Sequence, residues 1–133
     1  MEVSEQTIQQ MLDEYLMIKK ELMPLSDMLP FFSWRFCKIH NIHLQGTPRI
    51  DGYGYNINLA GGRQLVNLRL EERAIKYLKS LGWEVTPPIG YFQYYAKKTE
   101  FENGDLAKLI WNSLQAYNKN LDDNGGYEID AFG

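Results

Sequence analysis

Cysteine is almost missing from this chain. Cys37 is the only one among 133 residues, so no disulfide can form within it. That usage suits a reducing compartment, and a cytoplasmic protein is expected. Histidine is nearly as scarce, with His40 and His43 the whole supply. A structural zinc site takes four ligands at paired spacings. Cys37, His40 and His43 fall short of that set, so no metal and no cofactor is expected. No apolar run approaches the roughly 20 residues that cross a bilayer, and no membrane association is expected. The opening M-E-V-S-E-Q is polar and acidic, unlike a signal peptide. Internal repeats and low-complexity segments are missing, and so are the glycine motifs that cradle phosphates. The formal charge of −3 argues against general affinity for nucleic acid, which needs a basic surface.

Apolar and aromatic residues are plentiful. They make up 44% and 14% of the chain, enough to build one core without covalent staples. Residues 1–121 are expected to form a single domain, and 122–133 a mobile C-terminal tail.

The stretch from Tyr53 to Trp83 carries the clearest pattern. Tyr53, Tyr55, Ile57 and Leu59 alternate with small or polar residues, the period of a half-buried strand. Gly61-Gly62 suits a tight turn. Val66, Leu68 and Leu70 alternate again, so a hairpin is expected. The period then lengthens: Ala74, Ile75, Leu78 and Leu81 share one helical face, and Gly82 is placed to stop that helix.

Earlier in the chain, Ser4 caps a first helix running to about Leu22, with Ile8, Met11, Leu12 and Tyr15 on its apolar stripe. Pro24 ends it. Residues 25–39 have two readings. A helix capped near Ser26-Asp27 gathers Leu25, Met28, Leu29, Phe32, Phe36 and Ile39 on one face. A strand instead alternates Phe32, Trp34 and Phe36 with Ser33, Arg35 and Cys37. The helix is the longer pattern and is preferred. Later, Trp83 and Val85 mark a short strand, and Tyr91 to Lys97 an aromatic one. Gly104 and Asp105 open a last helix toward Leu121. The fold class that follows is α+β: an antiparallel sheet of four to five strands with helices packed on one face.

Catalytic groups are hard to find. Cys37 lies in an apolar run, where thiols are inert. Glu71, Glu72, Glu100, Glu102 and Asp105 sit at helix starts or turns as caps and solvated charge. No catalytic residue is assigned, and a non-enzymatic protein is expected. The aromatic excess is the suggestive feature. Trp34, Tyr53, Tyr55, Tyr91, Tyr94 and Tyr95, with Arg63 and Arg69 nearby, are the residue types that anchor protein interfaces. They are the candidate binding residues of an aromatic sheet face; the other candidate surface is a helix groove. Tyr53, Tyr55, Tyr94 and Arg63 also offer an alternative, the stacking and binding of a nucleotide or other small ligand.

Leu81-Gly82-Trp83, Pro87-Pro88, Tyr91-Phe92 and the stripe from Leu106 to Leu121 resemble the small YbjN-like, chaperone-like domains related to type III secretion chaperones. The resemblance covers the second half of the chain. It implies the same α+β fold, with a strand rather than a helix over Phe32–Ile39. It also implies binding of another protein, often as a homodimer, and no catalytic residue. A bacterial or phage chaperone, adaptor or inhibitor is the corresponding expectation.

Overall fold

A computed structural model describes residues 4–22, 30–49, 54–62, 64–85, 90–120 and 127–131. Tyr53, Arg63, Pro24, the Ser26-Asp27 cap and Pro87-Pro88 lie outside them. The chain opens with α1 (Glu5–Leu22), followed by β1 (Pro30–Cys37), β2 (Ile42–Pro48) and β3 (Gly54–Leu59). Then come α2 (Glu72–Ser80), β4 (Glu84–Val85), β5 (Phe92–Lys97), α3 (Lys98–Asn103) and α4 (Asp105–Leu114). A 3-10 turn (Gln115–Asn120) leads toward β6 (Tyr127–Ala131). The class is α+β. Among the described residues, six strands form one antiparallel sheet in the order β4-β5-β3-β2-β1-β6, where four to five were expected.

Alternation builds the two faces of this sheet. Phe32 and Trp34 of β1, Ile42 and Leu44 of β2, Ile57 and Leu59 of β3, and Phe92 and Ala96 of β5 are buried. Ile8, Met11, Leu12 and Tyr15 of α1 and Leu106, Ala107, Ile110 and Leu114 of α4 complete the same core. The helices therefore cover one face. The intervening strand positions, among them Arg35, Gln45, Asn56, Gln93 and Tyr95, look the other way and are exposed or half-buried.

The ends of the helices follow the chemistry of their sequences. Ser4 Oγ accepts the Thr7 N–H at 3.1 Å, capping α1 as expected. Gly82 sits at φ +110°, where a side chain is strained. Its N–H bonds the Lys79 carbonyl at 3.0 Å, and the Trp83 N–H bonds Leu78 at 3.2 Å, closing α2. Gly104, at φ +92°, separates α3 from α4.

Three expectations are corrected. The stretch read as a helix over Phe32–Ile39 is instead strand β1. It lies between β2 and β6, so alternate large rings gain a whole sheet face to pack on. Ile39, which a helical stripe would bury, is 73% exposed in the turn that follows. Residues 65–70 are not the second arm of a hairpin. Asn67 takes φ +52°, which breaks any ladder, and the Val66 N–H bonds His40 instead of β3. The neighbour of β3 on that side is β5, and Gly61 helps admit it. A Cβ at Gly61 would collide with the Gly90 carbonyl just before β5. The glycine serves close approach rather than a tight hairpin. Finally, residues 127–131, expected within a mobile tail, form β6 and pair with β1 from Pro30↔Ala131 to Trp34↔Tyr127.

Candidate functional site

The expected aromatic sheet face does not form as one surface, because the pleat sends its rings to opposite sides. Trp34 is 5% exposed and stacks on Phe36, their centroids 5.0 Å apart. Tyr55 is 2% exposed, packed against Phe101 and Tyr15. Its hydroxyl accepts a 2.7 Å hydrogen bond from Lys19 Nζ, which lies 4.6 Å from the ring centre. Both rings belong to the core.

Tyr94 also lies on the helix-covered side, opposite Ile57, with its ring 5.6 Å from that of Trp83. Its O–H donates to Glu100 Oε2 at 2.7 Å. Burial, then the bond to Glu100 and the charges of Glu100 and Asp105, push the Tyr94 phenol up to about 12. The same Glu100 accepts the Lys97 N–H through Oε1 at 3.1 Å, so one carboxylate fixes both the tyrosine and the start of α3.

Tyr91 reaches across the strand between its own and β2. Its hydroxyl meets His43 Nε2 at 2.8 Å, and the rings are edge to face at 5.5 Å. His43 Nδ1 lies 2.8 Å from the Asn41 carbonyl. A carbonyl can only accept, so Nδ1 donates to it, and in the neutral ring Nε2 accepts from Tyr91. Burial pushes the Tyr91 phenol up as well. Arg69 is exposed beside a hollow of about 640 Å³ that Leu70 and Ile75 also line. Neither Tyr91 nor Arg69 shares a surface with Trp34 or Tyr55. Of the nucleotide set, Tyr55 and Tyr94 are on the packed side, and Tyr53 and Arg63 lie outside the described residues.

Cys37, His40 and His43 do not converge. Cys37 is 3% exposed within the core. The His40 ring donates through Nδ1 to the Val66 carbonyl at 2.9 Å, tying the β1–β2 turn to the 64–67 loop. His43 lies on the uncovered face with Tyr91. No group of three metal-ligating side chains occurs among the described residues.

Of the expected residues that are described, Tyr95 alone is well exposed on the uncovered face, at 41%. Its ring lies over Gly54, where a Cβ would strike the phenol oxygen, and it stacks 4.9 Å from the Arg49 guanidinium. Around this pair the strands align a polar row. Gln93 stands opposite Asn58, Asn58 opposite Gln45, and Gln45 opposite Ser33. Thr47, Asn56, Asn58, Gln93 and Glu84 join Arg49 and Tyr95 around a shallow hollow of about 570 Å³. Amide groups both donate and accept, so this row can bond a peptide group in either sense. Sequence reasoning found Tyr95 but missed Arg49 and the amides. Their signal was the polar half of the same alternation that marked the strands.

No helix among the described residues is long and apolar enough to cross a membrane. Comparison with family models, with curated proteins and with solved structures finds no match for the chain.

Proposed function

We propose that the protein is a non-enzymatic binding domain that holds another polypeptide on the uncovered face of its sheet. The observation that carries this reading is the Tyr95–Arg49 pair. Two residue types that dominate protein interfaces lie in contact beside a row of amides, with no helix of the described residues above them. Tyr and Arg offer large contact area, and the ring already rests on the Gly54 backbone, so little freedom is lost on binding. A chaperone-like role is what the resemblance to type III secretion chaperones implies; β1 is the strand it calls for in this part of the chain and α4 begins its closing helix, while α3 and β6 are additions to its order. A chaperone, adaptor or inhibitor would use such a face without chemistry. Self-association as a homodimer is the other arrangement consistent with that resemblance.

Photo-crosslinking side chains placed at Gln93, on the uncovered face, and at Lys76, on the exposed side of α2, test the proposal in cells of the native host. Crosslinks to a defined polypeptide from position 93 but not from 76 are expected. A purified chain that stays monomeric, with no polypeptide crosslinked at position 93, overturns it.

A further inference from the structure

We infer that Asn103 is a self-modification site: its side-chain amide is lost to attack by the backbone nitrogen of Gly104, and the product loosens the α3–α4 junction. The reaction needs no partner, so it is independent of the proposed binding role.

Two structural demands meet at this one peptide bond. α3 ends at Gly104, whose φ of +92° is a conformation that residues with a Cβ rarely adopt. α4 begins at the next residue, and its first turn needs acceptors for its free N–H groups. Asn103 Oδ1 supplies one, accepting the Asp105 N–H at 2.9 Å. The break between the helices therefore asks for glycine at 104 and a short acceptor at 103. Asparagine meets the second demand, and it brings an amide that can leave.

Glycine is also the follower that least hinders ring closure, because no Cβ crowds its nitrogen. Every other asparagine among the described residues is followed by a residue with a side chain, in most cases Ile or Leu. Asn103 is exposed, so water reaches it. The Gly104 nitrogen gives up its proton to hydroxide and bonds to Cγ of Asn103. The negative charge that develops sits on Oδ1, where the Asp105 N–H already donates. The Cγ–Nδ2 bond then breaks, and the nitrogen takes a proton from water and leaves as ammonia. A cyclic imide remains, and water opens it at either carbonyl. One opening gives aspartate at 103. The other gives isoaspartate, whose main chain runs through the former side chain and is one atom longer. That atom is inserted between Phe101 and Leu106, which are fully buried and anchor α3 and α4 in the core. The junction then no longer fits the spacing of its anchors.

The intact chain is aged in mildly alkaline buffer, checked for folding by circular dichroism, digested at intervals and mapped by mass spectrometry. Isoaspartate is read separately, by enzymatic methyl transfer to its carboxylate. Asn103 should convert at least about tenfold faster than Asn41, Asn56, Asn58, Asn67 or Asn112, a modest difference in barrier. The urea midpoint should fall as isoaspartate accumulates. The Asn103→Ser variant keeps a short acceptor for the Asp105 N–H but has no amide to lose. Its midpoint should hold over the same period. Asn103 left intact in the folded chain, or lost no faster than those other asparagines, overturns the inference. A parent midpoint that falls no further than that of the serine variant overturns it too.

Discussion

The guanidinium carbon of Arg49 lies 4.9 Å from the centre of the Tyr95 ring, on the face of the sheet that no helix of the described residues covers. An exposed cation–π contact of this kind adds only about 0.5–1 kcal/mol to folding. Interface anchors, in contrast, are worth about 2 kcal/mol or more when truncated. Tyr95→Ala is therefore expected to leave the denaturation midpoint nearly unchanged while weakening partner capture by at least about thirtyfold. Urea titration and a binding isotherm measured on the same preparation separate the two effects. A large stability loss with unchanged binding would mean that the ring is structural.

Gly54 is the platform under that ring, and replacing it should disturb both properties. A Cβ there meets the Tyr95 phenol, which can swing aside, and the Ala96 carbonyl 2.7 Å away, which cannot. Gly54→Ala should cost about 1–3 kcal/mol through strain, as overpacking does. Adding Tyr95→Ala should recover only the part due to the ring. Gly46→Ala differs in kind. Its Cβ enters the Phe32 ring, which is fully buried between β1 and α1 and has nowhere to go. A larger loss is expected at Gly46 than at Gly54, read from the two urea midpoints.

Such sites explain which parts of the fold were legible in the sequence. Periodicity revealed α1, α2 and α4, because each has one apolar stripe and a recognisable stop or cap, such as Gly82 for α2. It misjudged β1, where Phe32 and Phe36 satisfy both a four-residue and a two-residue period. Only pairing with β2 and β6, which local pattern does not contain, settles the choice. Gly61 was read as a turn residue because sequence does not show what approaches it. The candidate residues were harder still. Alternation says that Tyr94 and Tyr95 face opposite ways, but which way is outward depends on where the helices land. Arg49 carries no pattern of its own, and its importance comes from Tyr95 lying beside it.

Trp83 offers a test of the packed side. Its indole Nε1–H donates to Ser113 Oγ at 2.7 Å, and the Ser113 hydroxyl donates to the Leu109 carbonyl at 2.6 Å. Trp83 is 2% exposed and Ser113 fully buried, so water does not easily replace a lost partner. Ser113→Ala should strand the indole N–H and cost about 1–3 kcal/mol. Trp83→Phe alone leaves a gap but no unsatisfied donor on the ring. In the double variant the penalties should sum to less than the two single losses, since the stranded donor is removed. Additive losses in a thermodynamic cycle would show that the bond contributes nothing beyond packing.

Alkaline pH should unfold this protein through its tyrosines. Burial pushes the phenols of Tyr15, Tyr91 and Tyr117 above their ordinary value of 10.0, and Tyr94 is pushed up to about 12. A raised phenol means that the folded state keeps a proton which the unfolded chain releases near pH 10. Between those values the unfolded state binds fewer protons, so stability falls as pH rises. The stabilisation from Tyr94 is fully present below pH 10 and is lost as pH climbs through about 12. Thermal melts across this range should decline steeply, and the part of the phenolate absorbance due to the buried tyrosines should rise only as the fold opens. Tyr94→Phe has no phenol to ionise, and Glu100 keeps its bond from the Lys97 N–H. That variant should be slightly less stable at neutral pH and should lose stability less steeply above pH 10. Parallel curves for the variant and the parent would mean that Tyr94 titrates normally and that its bond to Glu100 does not hold the proton.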